Sequence, residues 1–233
     1  MKKRILIVLL CIVGSVNAQD INQFDANGKR HGIWKKNFDG TSQVRYQGEF
    51  AHGKEVGEFK FYKLIKKKSV LTAVKQFNAK DNSAYVKFLS SRGKLISEGK
   101  MVGKLYVGEW KYYHNNSEKI MTLEHYDDKG LLQGEKLVYY KDGKVVAERA
   151  SYVDGKLQGE SKWYSVKGVV LKAFLYDNNE LHGIAKYYNG KSELLAEGYY
   201  KRGKKAGLWK YYENGELINE KDFSALVKRN RKQ

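Results

Sequence analysis

A short motif recurs along the chain at a nearly constant spacing, and this repeat limits the fold more than any other feature. The clearest copy, residues 207–212, reads Gly-Leu-Trp-Lys-Tyr-Tyr. Its opening glycine recurs about every 25 residues, and a fixed period of this size predicts an array of stacked units. The opening glycines, called anchors below, are Gly32, Gly57, Gly108, Gly134, Gly159, Gly183 and Gly207.

One step between anchors, from Gly57 to Gly108, is twice as long as the others. A degenerate copy fits this gap, with Ser83 at the anchor position and Arg92-Gly93-Lys94 as its turn. We therefore expect about eight copies of the unit, one of them without its glycine.

Each copy has the pattern of a β-hairpin. The segment after the anchor is rich in aromatic residues, which suit a half-buried strand. Turns such as Asp142-Gly143 and Asn214-Gly215 follow, and these residues accept the positive φ of tight hairpin turns. A second strand comes next, and an apolar residue closes the unit. The closing residues are Phe50, Met101, Tyr152, Tyr176 and Tyr200. The predicted fold class is all-β, with about eight tandem hairpins in one elongated, twisted sheet.

The two faces of the predicted sheet differ in chemistry because strand residues alternate between faces. The second and fourth residues after each anchor are largely apolar, as in Trp209 and Tyr211. The third is mostly Lys and the fifth mostly Tyr, with Phe88 at the fifth position of the degenerate copy. We call the third and fifth residues the Lys–Tyr ladder and predict it to be a ligand-facing surface. Its members are Lys35, Lys60, Lys111, Lys162, Lys186, Lys210, Tyr62, Tyr113, Tyr139, Tyr164, Tyr188 and Tyr212.

These Gly-x-Trp/Phe-Lys-x-Tyr cores and their Asp-Gly-Lys and Asn-Gly-Lys turns resemble the MORN-repeat family, specifically its bacterial, antitoxin-like variant. The resemblance covers roughly residues 25–222. It implies an array of hairpins that acts as a scaffold, and it implies an antitoxin role as one function. The chain departs from the pattern at Ser83, and at Lys136 and Ser161, which stand at the usual aromatic position.

Residues 1–18 have the features of a secretory signal peptide. A basic start precedes the apolar run Ile5–Val13, which is too short to span a bilayer as a helix. Small residues predict cleavage between Ala18 and Gln19. Cys11 lies inside the apolar run and is interpreted as part of the signal rather than a lipid attachment site. We expect an exported chain that is periplasmic, outer-membrane-associated or secreted, without a transmembrane segment once the signal is removed.

The rest of the chain is predicted to be one continuous MORN-like repeat domain over residues 19–223, because it contains no proline and no long Gly/Ser linker. Asp20–Phe24 is expected to be a short lead-in that caps the first hairpin. Leu64–Lys68 interrupts the pattern and is predicted to be a solvated, irregular loop. Residues 224–233 are predicted to form a basic C-terminal cap or tail, because the ends of an array need covering.

The charge of the chain bears on its partners. Lys and Arg number 44 and Asp and Glu 26, a formal net charge of +18. A basic exported protein with a Lys ladder suits an anionic lipid or glycan of the envelope. The alternative is that the Lys residues only keep the outer face soluble and prevent pairing with other chains. Nucleic acid is not an expected partner in this compartment, and the oligomeric state is left open.

The sequence contains no constellation typical of an enzyme. Its five histidines lack the close spacing of a metal motif, and neither a nucleophile elbow nor a nucleotide-binding glycine motif is present. We therefore predict no catalytic residues, no metal and no cofactor. Carboxylates that recur in second strands are interpreted as charged partners of the neighbouring Lys residues; they are Glu98, Glu148, Glu197 and Glu220.

Three functions remain after these observations. The first is a non-enzymatic exported scaffold that binds a protein partner or an anionic envelope surface. The second, implied by the resemblance, is an antitoxin or immunity protein that neutralises a toxin. The third is an enzyme with a site at an irregular copy, near Ser83 or Leu64–Lys68.

Overall fold

The computed structural model describes residues 20–224, which form seventeen strands in one open sheet. Each strand pairs antiparallel with the next one along the chain. The strands are Gln23–Phe24 (β1), Arg30–Asn37 (β2), Val44–Ala51 (β3), Lys54–Ile65 (β4), Lys68–Phe77 (β5), Ser83–Leu89 (β6), Leu95–Val102 (β7), Leu105–Tyr113 (β8), Ile120–Tyr126 (β9), Gly134–Tyr139 (β10), Val146–Val153 (β11), Lys156–Tyr164 (β12), Val170–Asp177 (β13), Glu180–Tyr188 (β14), Leu194–Lys201 (β15), Lys204–Glu213 (β16) and Glu216–Asp222 (β17). The predicted all-β array of hairpins is confirmed.

Eight hairpins make up the array, from β2–β3 to β16–β17. Within a hairpin the anchor lies opposite the closing residue, as Gly32 lies opposite Phe50 and Gly159 opposite Tyr176. Because strands lie about 4.8 Å apart, each hairpin lengthens the sheet by roughly 10 Å.

The backbone conformation at the anchor positions explains why they are glycines. All seven have positive φ, and in β4 the φ of Gly57 is 64°. There β3 aligns Glu49 with Val56 but Gln47 with Lys60, so that β4 carries extra residues in a bulge. Glycine accepts this backbone conformation because it has no Cβ.

The third hairpin begins one residue later than the sequence pattern indicated. Met101 lies opposite Ala84, and Ser83 precedes it, so placing Ser83 at the anchor was wrong. The pairing of β5 with β6 has no bulge, and residues 78–82 connect these strands where two-residue turns join most neighbouring hairpins. An anchor without a bulge needs no positive φ, and alanine is accepted. Lys87 is therefore the third residue of this copy, and Phe88 the fourth.

The predicted irregular loop at Leu64–Lys68 was also wrong. Strands β4 and β5 continue to Ile65 and Lys68, and they are joined by a two-residue turn of Lys66 and Lys67. These two residues have φ of 47° and 62°, which the sequence pattern gave no reason to expect because neither is Gly, Asn or Asp.

Aromatic side chains of the second and fourth positions form the core, on what we call the aromatic face. Trp110 and Trp209 are fully buried, and Phe59 is 1% exposed. Each packs on a glycine of the preceding strand; these glycines are Gly48 for Phe59, Gly99 for Trp110 and Gly198 for Trp209. Tyr106 also stacks on Trp110 with ring centroids 3.8 Å apart. Neighbouring hairpins therefore cover the apolar stripe that a single-layer sheet would otherwise expose.

The lead-in caps the first hairpin as predicted. The Trp34 Nε1 donates to the carbonyl oxygen of Gln23 (2.9 Å), just as the Trp110 Nε1 donates to that of Lys100 (2.9 Å). Asn22 adds two bonds to β2, from its backbone N–H to the Ile33 carbonyl and from the Lys35 N–H to its Oδ1, both 2.8 Å. Residues 22–24 thus replace part of a preceding second strand.

The predicted signal peptide with its cleavage site at Ala18 and Gln19 lies outside the described residues, as does the C-terminal tail from residue 225. Within residues 20–224 no helix is long and apolar enough to cross a membrane.

Candidate functional site

The structure brings the ladder lysines into one row across the middle of the sheet. Where two neighbouring hairpins both carry a ladder lysine, the two lysines flank one residue of the intervening strand, as Lys35 and Lys60 flank Gln47. Lys162 and Lys186 flank Ala173 in the same way. The corrected register adds Lys87 to the row, and Leu137 holds the equivalent place in the fifth hairpin. We call this side of the sheet the ladder face.

Most ladder lysines have a carboxylate beside them. Three pair with the glutamate two residues earlier on their own strand: Lys60 with Glu58 (3.1 Å), Lys111 with Glu109 (3.0 Å) and Lys162 with Glu160 (2.7 Å). Two pair across the hairpin: Lys87 with Glu98 (3.8 Å) and Lys186 with Glu197 (3.7 Å). Lys35 and Lys210 have no ion pair within residues 20–224.

Two ladder tyrosines complete a repeated Lys–Glu–Tyr arrangement. The hydroxyl of Tyr212 donates to Glu197 Oε1 (3.0 Å), and the hydroxyl of Tyr113 donates to Glu98 Oε1. In both cases the carboxylate joins the lysine of its own hairpin to the tyrosine of the next. Burial, reinforced by this hydrogen bond, raises the pKa of Tyr113 and that of Tyr212. The arrangement therefore ties consecutive hairpins together.

The interpretation of Glu148 as another such partner was wrong. Glu148 lies opposite Val138 and Trp163, which places it on the aromatic face. Arg149 holds the position that corresponds to Glu98 and Glu197, and it pairs with Glu135 (3.3 Å). A one-residue difference in strand register moves a side chain to the other face, which the spacing of carboxylates alone does not show.

The ladder face is balanced in charge. Its rows are the first, third and fifth positions after each anchor, together with their partners across the strands. They contain nine cations, Lys35, Lys60, Lys87, Lys100, Lys111, Arg149, Lys162, Lys186 and Lys210, and nine carboxylates, Glu49, Glu58, Glu98, Glu109, Glu135, Glu160, Glu197, Glu220 and Asp222. The ladder remains a predicted binding surface, but it does not supply the positive charge of the chain.

The ladder face also has shallow depressions. The larger, of about 730 Å³, lies where Ala173 separates Lys162 from Lys186, and Leu175 and Ile184 contribute apolar lining. A second, of about 430 Å³, lies at the N-terminal end between Lys35 and Lys60. Both are open to solvent along the sheet surface.

Most of the excess positive charge of residues 20–224 lies at one edge of the sheet, where the turns of the second to sixth hairpins are found. We call this surface the turn edge and define it as residues 63–68, 90–94, 114–119, 140–145 and 165–169. It carries ten cations, Lys63, Lys66, Lys67, Lys68, Arg92, Lys94, Lys119, Lys141, Lys144 and Lys167, and two carboxylates, Glu118 and Asp142. All ten cations are exposed, and none forms an ion pair within the described part of the chain.

A polar network interrupts the aromatic face at the fifth hairpin. Glu124 is 8% exposed; its Oε2 accepts from the Tyr126 hydroxyl (2.7 Å), and its Oε1 lies 3.4 Å from Lys136 Nζ. Burial raises the pKa of Tyr126 and raises that of Tyr112, 3.4 Å from the Tyr126 hydroxyl, to about 12. Lys136 at an aromatic position was the sequence signal for this break, but its partner Glu124 was not predicted.

Residues 20–224 contain no group of three or more His, Cys, Asp and Glu side chains placed to hold a metal ion. His52 contacts Asp25, with 2.7 Å between Nδ1 and Oδ2, and its ring centroid lies 4.8 Å from that of His31. Asp25 also accepts backbone bonds that order its turn, so these groups have a structural role at the N-terminal end.

Neither a scan against protein-family models nor a search of curated proteins finds a match to this chain.

Proposed function

We propose that this chain is a non-enzymatic, exported scaffold whose turn edge binds an anionic surface of the envelope, of phospholipid or acidic glycan. The observation that carries the proposal is the distribution of charge. Ten exposed cations against two carboxylates occupy five successive turns, while the ladder face is balanced. Because hairpins repeat at roughly 10 Å, these turns would follow an extended polyanionic surface over about 40 Å.

Exposed aliphatic side chains at the same turns favour a lipid surface. Leu64, Ile65 and Val166 are 41%, 37% and 65% exposed, and their neighbours in the chain are Lys63, Lys66 and Lys167. Aliphatic groups beside Lys suit the boundary between lipid headgroups and acyl chains. The resemblance of the repeats to the MORN family and the signal-peptide pattern support the scaffold and its export.

The test compares two charge-matched variants in binding to vesicles. The turn-edge variant carries Lys66→Gln, Lys67→Gln, Lys68→Gln, Arg92→Gln and Lys94→Gln. The ladder variant carries Lys35→Gln, Lys60→Gln, Lys111→Gln, Lys162→Gln and Lys210→Gln. Each loses five positive charges. Co-sedimentation with vesicles of phosphatidylglycerol and phosphatidylcholine, and with phosphatidylcholine alone, measures partitioning of the chain from Gln19 onwards.

We expect binding to the anionic vesicles only, weakening as salt rises. A basic residue near an anionic membrane contributes about 1 kcal/mol, so the turn-edge variant should bind roughly a hundredfold or more weaker. The ladder variant should bind nearly as the parent does. Binding to a soluble acidic polysaccharide but not to vesicles would assign the glycan source. An equal loss in the ladder variant, or no binding to either polyanion, would contradict the proposal.

A further inference from the structure

The last strand, β17, has one edge that no strand of the described residues covers. It pairs with β16 on one side only, and all seven of its residues are exposed. The equivalent strands β7 and β15 each have neighbours on both sides. An uncovered strand edge presents backbone N–H and C=O groups that can pair with another extended chain.

The repeat itself shows what a strand next to β17 would need. Glu220 occupies the place held by Glu98 in β7 and Glu197 in β15, since each lies opposite a ladder lysine of its own hairpin. Glu98 and Glu197 also lie opposite a lysine of the following strand, Lys111 and Lys210. Each further accepts a tyrosine hydroxyl two residues beyond that lysine.

Glu220 lacks this second half of the arrangement. It has neither a hydrogen bond nor an ion pair with any residue from 20 to 224, whereas Glu98 and Glu197 have both. A strand that carries Lys, and Tyr two residues later, would supply the same contacts to Glu220. The fifth-position tyrosine and third-position lysine of the repeat therefore specify a partner sequence.

The neighbouring residue adds one more requirement. Lys221 stands where Gly48, Gly99 and Gly198 accept an aromatic ring in other copies. Lys75 is the other lysine at this position, and it lies opposite the aliphatic Val86. The residue before the partner's lysine should therefore be aliphatic, which gives the pattern aliphatic-Lys-x-Tyr.

We propose that the outer edge of β17 binds an extended, basic segment of a partner protein by strand addition. Charge supports a basic occupant because β17 carries Glu216, Glu220 and Asp222 against the single cation Lys221. A second copy of this chain fits less well. Its first full strand is already covered by residues 22–24, and it has Asn37 at the tyrosine position. This site is separate from the turn edge, so the two proposals can fail independently.

The probe is a fluorescent peptide with the sequence of residues 83–89 and Leu89→Tyr, which reads Ser-Ala-Tyr-Val-Lys-Phe-Tyr. Fluorescence anisotropy measures its binding to the chain from Gln19 to Gln233. We expect saturable binding, and roughly fivefold weaker binding to Glu220→Gln, the size of an exposed ion pair. Glu213→Gln removes an equal charge from β16 and should leave the affinity unchanged. A peptide with Lys87→Glu should not bind.

Four outcomes would overturn the proposal. The first is the absence of saturable binding, and the second is an equal loss in Glu220→Gln and Glu213→Gln. The third is binding only to a chain that ends at Ser224, since residues 225–233 would then be the occupant. The fourth is concentration-dependent self-association that the peptide abolishes, because the occupant would then be a second copy. Vesicle binding would be unaffected by Glu220→Gln in every case.

Discussion

Where neighbouring hairpins meet on the aromatic face, the second-position residue faces a residue of the preceding strand, and two groups of hairpins use different residue pairs there. In three of them a glycine faces a large ring; the pairs are Gly48 with Phe59, Gly99 with Trp110 and Gly198 with Trp209. In the fifth to seventh hairpins the second-position residues are Lys136, Ser161 and Ala185, and their partners are Glu124, Ala150 and Phe174.

The difference shows that close packing depends on the two residues that face each other across neighbouring strands, and not on which residue occupies either position alone. Phe174 opposite Ala185 reverses the small and large members of the pair. Both arrangements bury the second-position residue, since Trp110 and Trp209 are fully buried and Ala185 is 1% exposed. Protein interiors are close-packed, so a large residue on one strand requires a small one opposite. Three pairs are exceptions: Lys75 with Val86, the ionic pair Glu124 and Lys136, and the small pair Ala150 and Ser161. The last two lie at the centre of the array.

The largest loss of stability is expected when a methyl group is added to the glycine of a Gly–aromatic pair. In Gly99→Ala and Gly198→Ala the new Cβ would lie 2.5 Å and 2.3 Å from atoms of the tryptophan ring. Because the ring is buried, we expect the free energy of unfolding to fall by about 1–3 kcal/mol, as for other overpacked cores. Urea unfolding followed by tryptophan fluorescence measures it. Gly190→Ala is the control, since no atom lies within 4 Å of its Cβ; a similar loss there would argue against ring contact as the cause.

A smaller effect is expected at high pH in the polar network of the fifth hairpin. The folded-state pKa of Tyr112 is raised to about 12, above the ordinary value of about 10. The folded state therefore keeps this proton longer than the unfolded state does. The resulting stabilisation is complete below pH about 10 and is lost as pH rises through about 12. The loss should be below that of the glycine variants because the phenol is partly solvated.

The measurement for this network is the free energy of unfolding from about pH 9 to about pH 11. Tyr112→Phe and Tyr126→Phe should flatten the decline, because neither variant can ionise at that position. Tyr46→Phe, on the same face at the other end of the sheet, serves as the control. An unchanged decline in both network variants would show that other groups govern alkaline stability.

The smallest change in stability is expected at the pair of small residues, Ala150 and Ser161. The Ser161 hydroxyl is buried and has no hydrogen-bond partner among the described residues 20–224, and Ser161 is 1% exposed. Ser161→Ala removes an unsatisfied polar group, so we expect no loss of stability and a gain of up to about 1 kcal/mol. Ser69→Ala is the matched control and should lose about 1 kcal/mol, because its hydroxyl donates to the Val44 carbonyl (2.6 Å). A comparable loss in both variants would indicate a partner for Ser161.

Much of the fold could be predicted because the same local sequence pattern occurs in almost every copy of the repeat. Most turns followed from their Gly, Asn and Asp residues, and the alternation of faces and the ladder rows followed from the period of two within each strand. The errors occurred where one copy broke the rule. The anchor at Ala84, the turn at Lys66 and Lys67, and the face of Glu148 each depended on register or loop length that a single copy does not reveal.

The candidate binding surfaces were less predictable than the fold for the same reason. The sequence showed a row of lysines and a high net charge, and the two together predicted that the row of lysines binds an anionic partner. The register placed nine carboxylates beside those lysines and left the turn edge with the excess of positive charge. Charges far apart in the sequence become neighbours only through strand pairing, so their balance on one face cannot be summed from the chain.

The sequence by itself determined that this chain is an array of hairpins, because turn residues, strand propensity and hydrophobic alternation are local properties repeated in every unit. Only the tertiary structure decided which units pack ring on glycine, which rows of the ladder face are balanced in charge, and which strand edge lacks a neighbour among residues 20–224. These properties depend on contacts between residues of different hairpins, often more than ten positions apart, and on how each strand is aligned with the next.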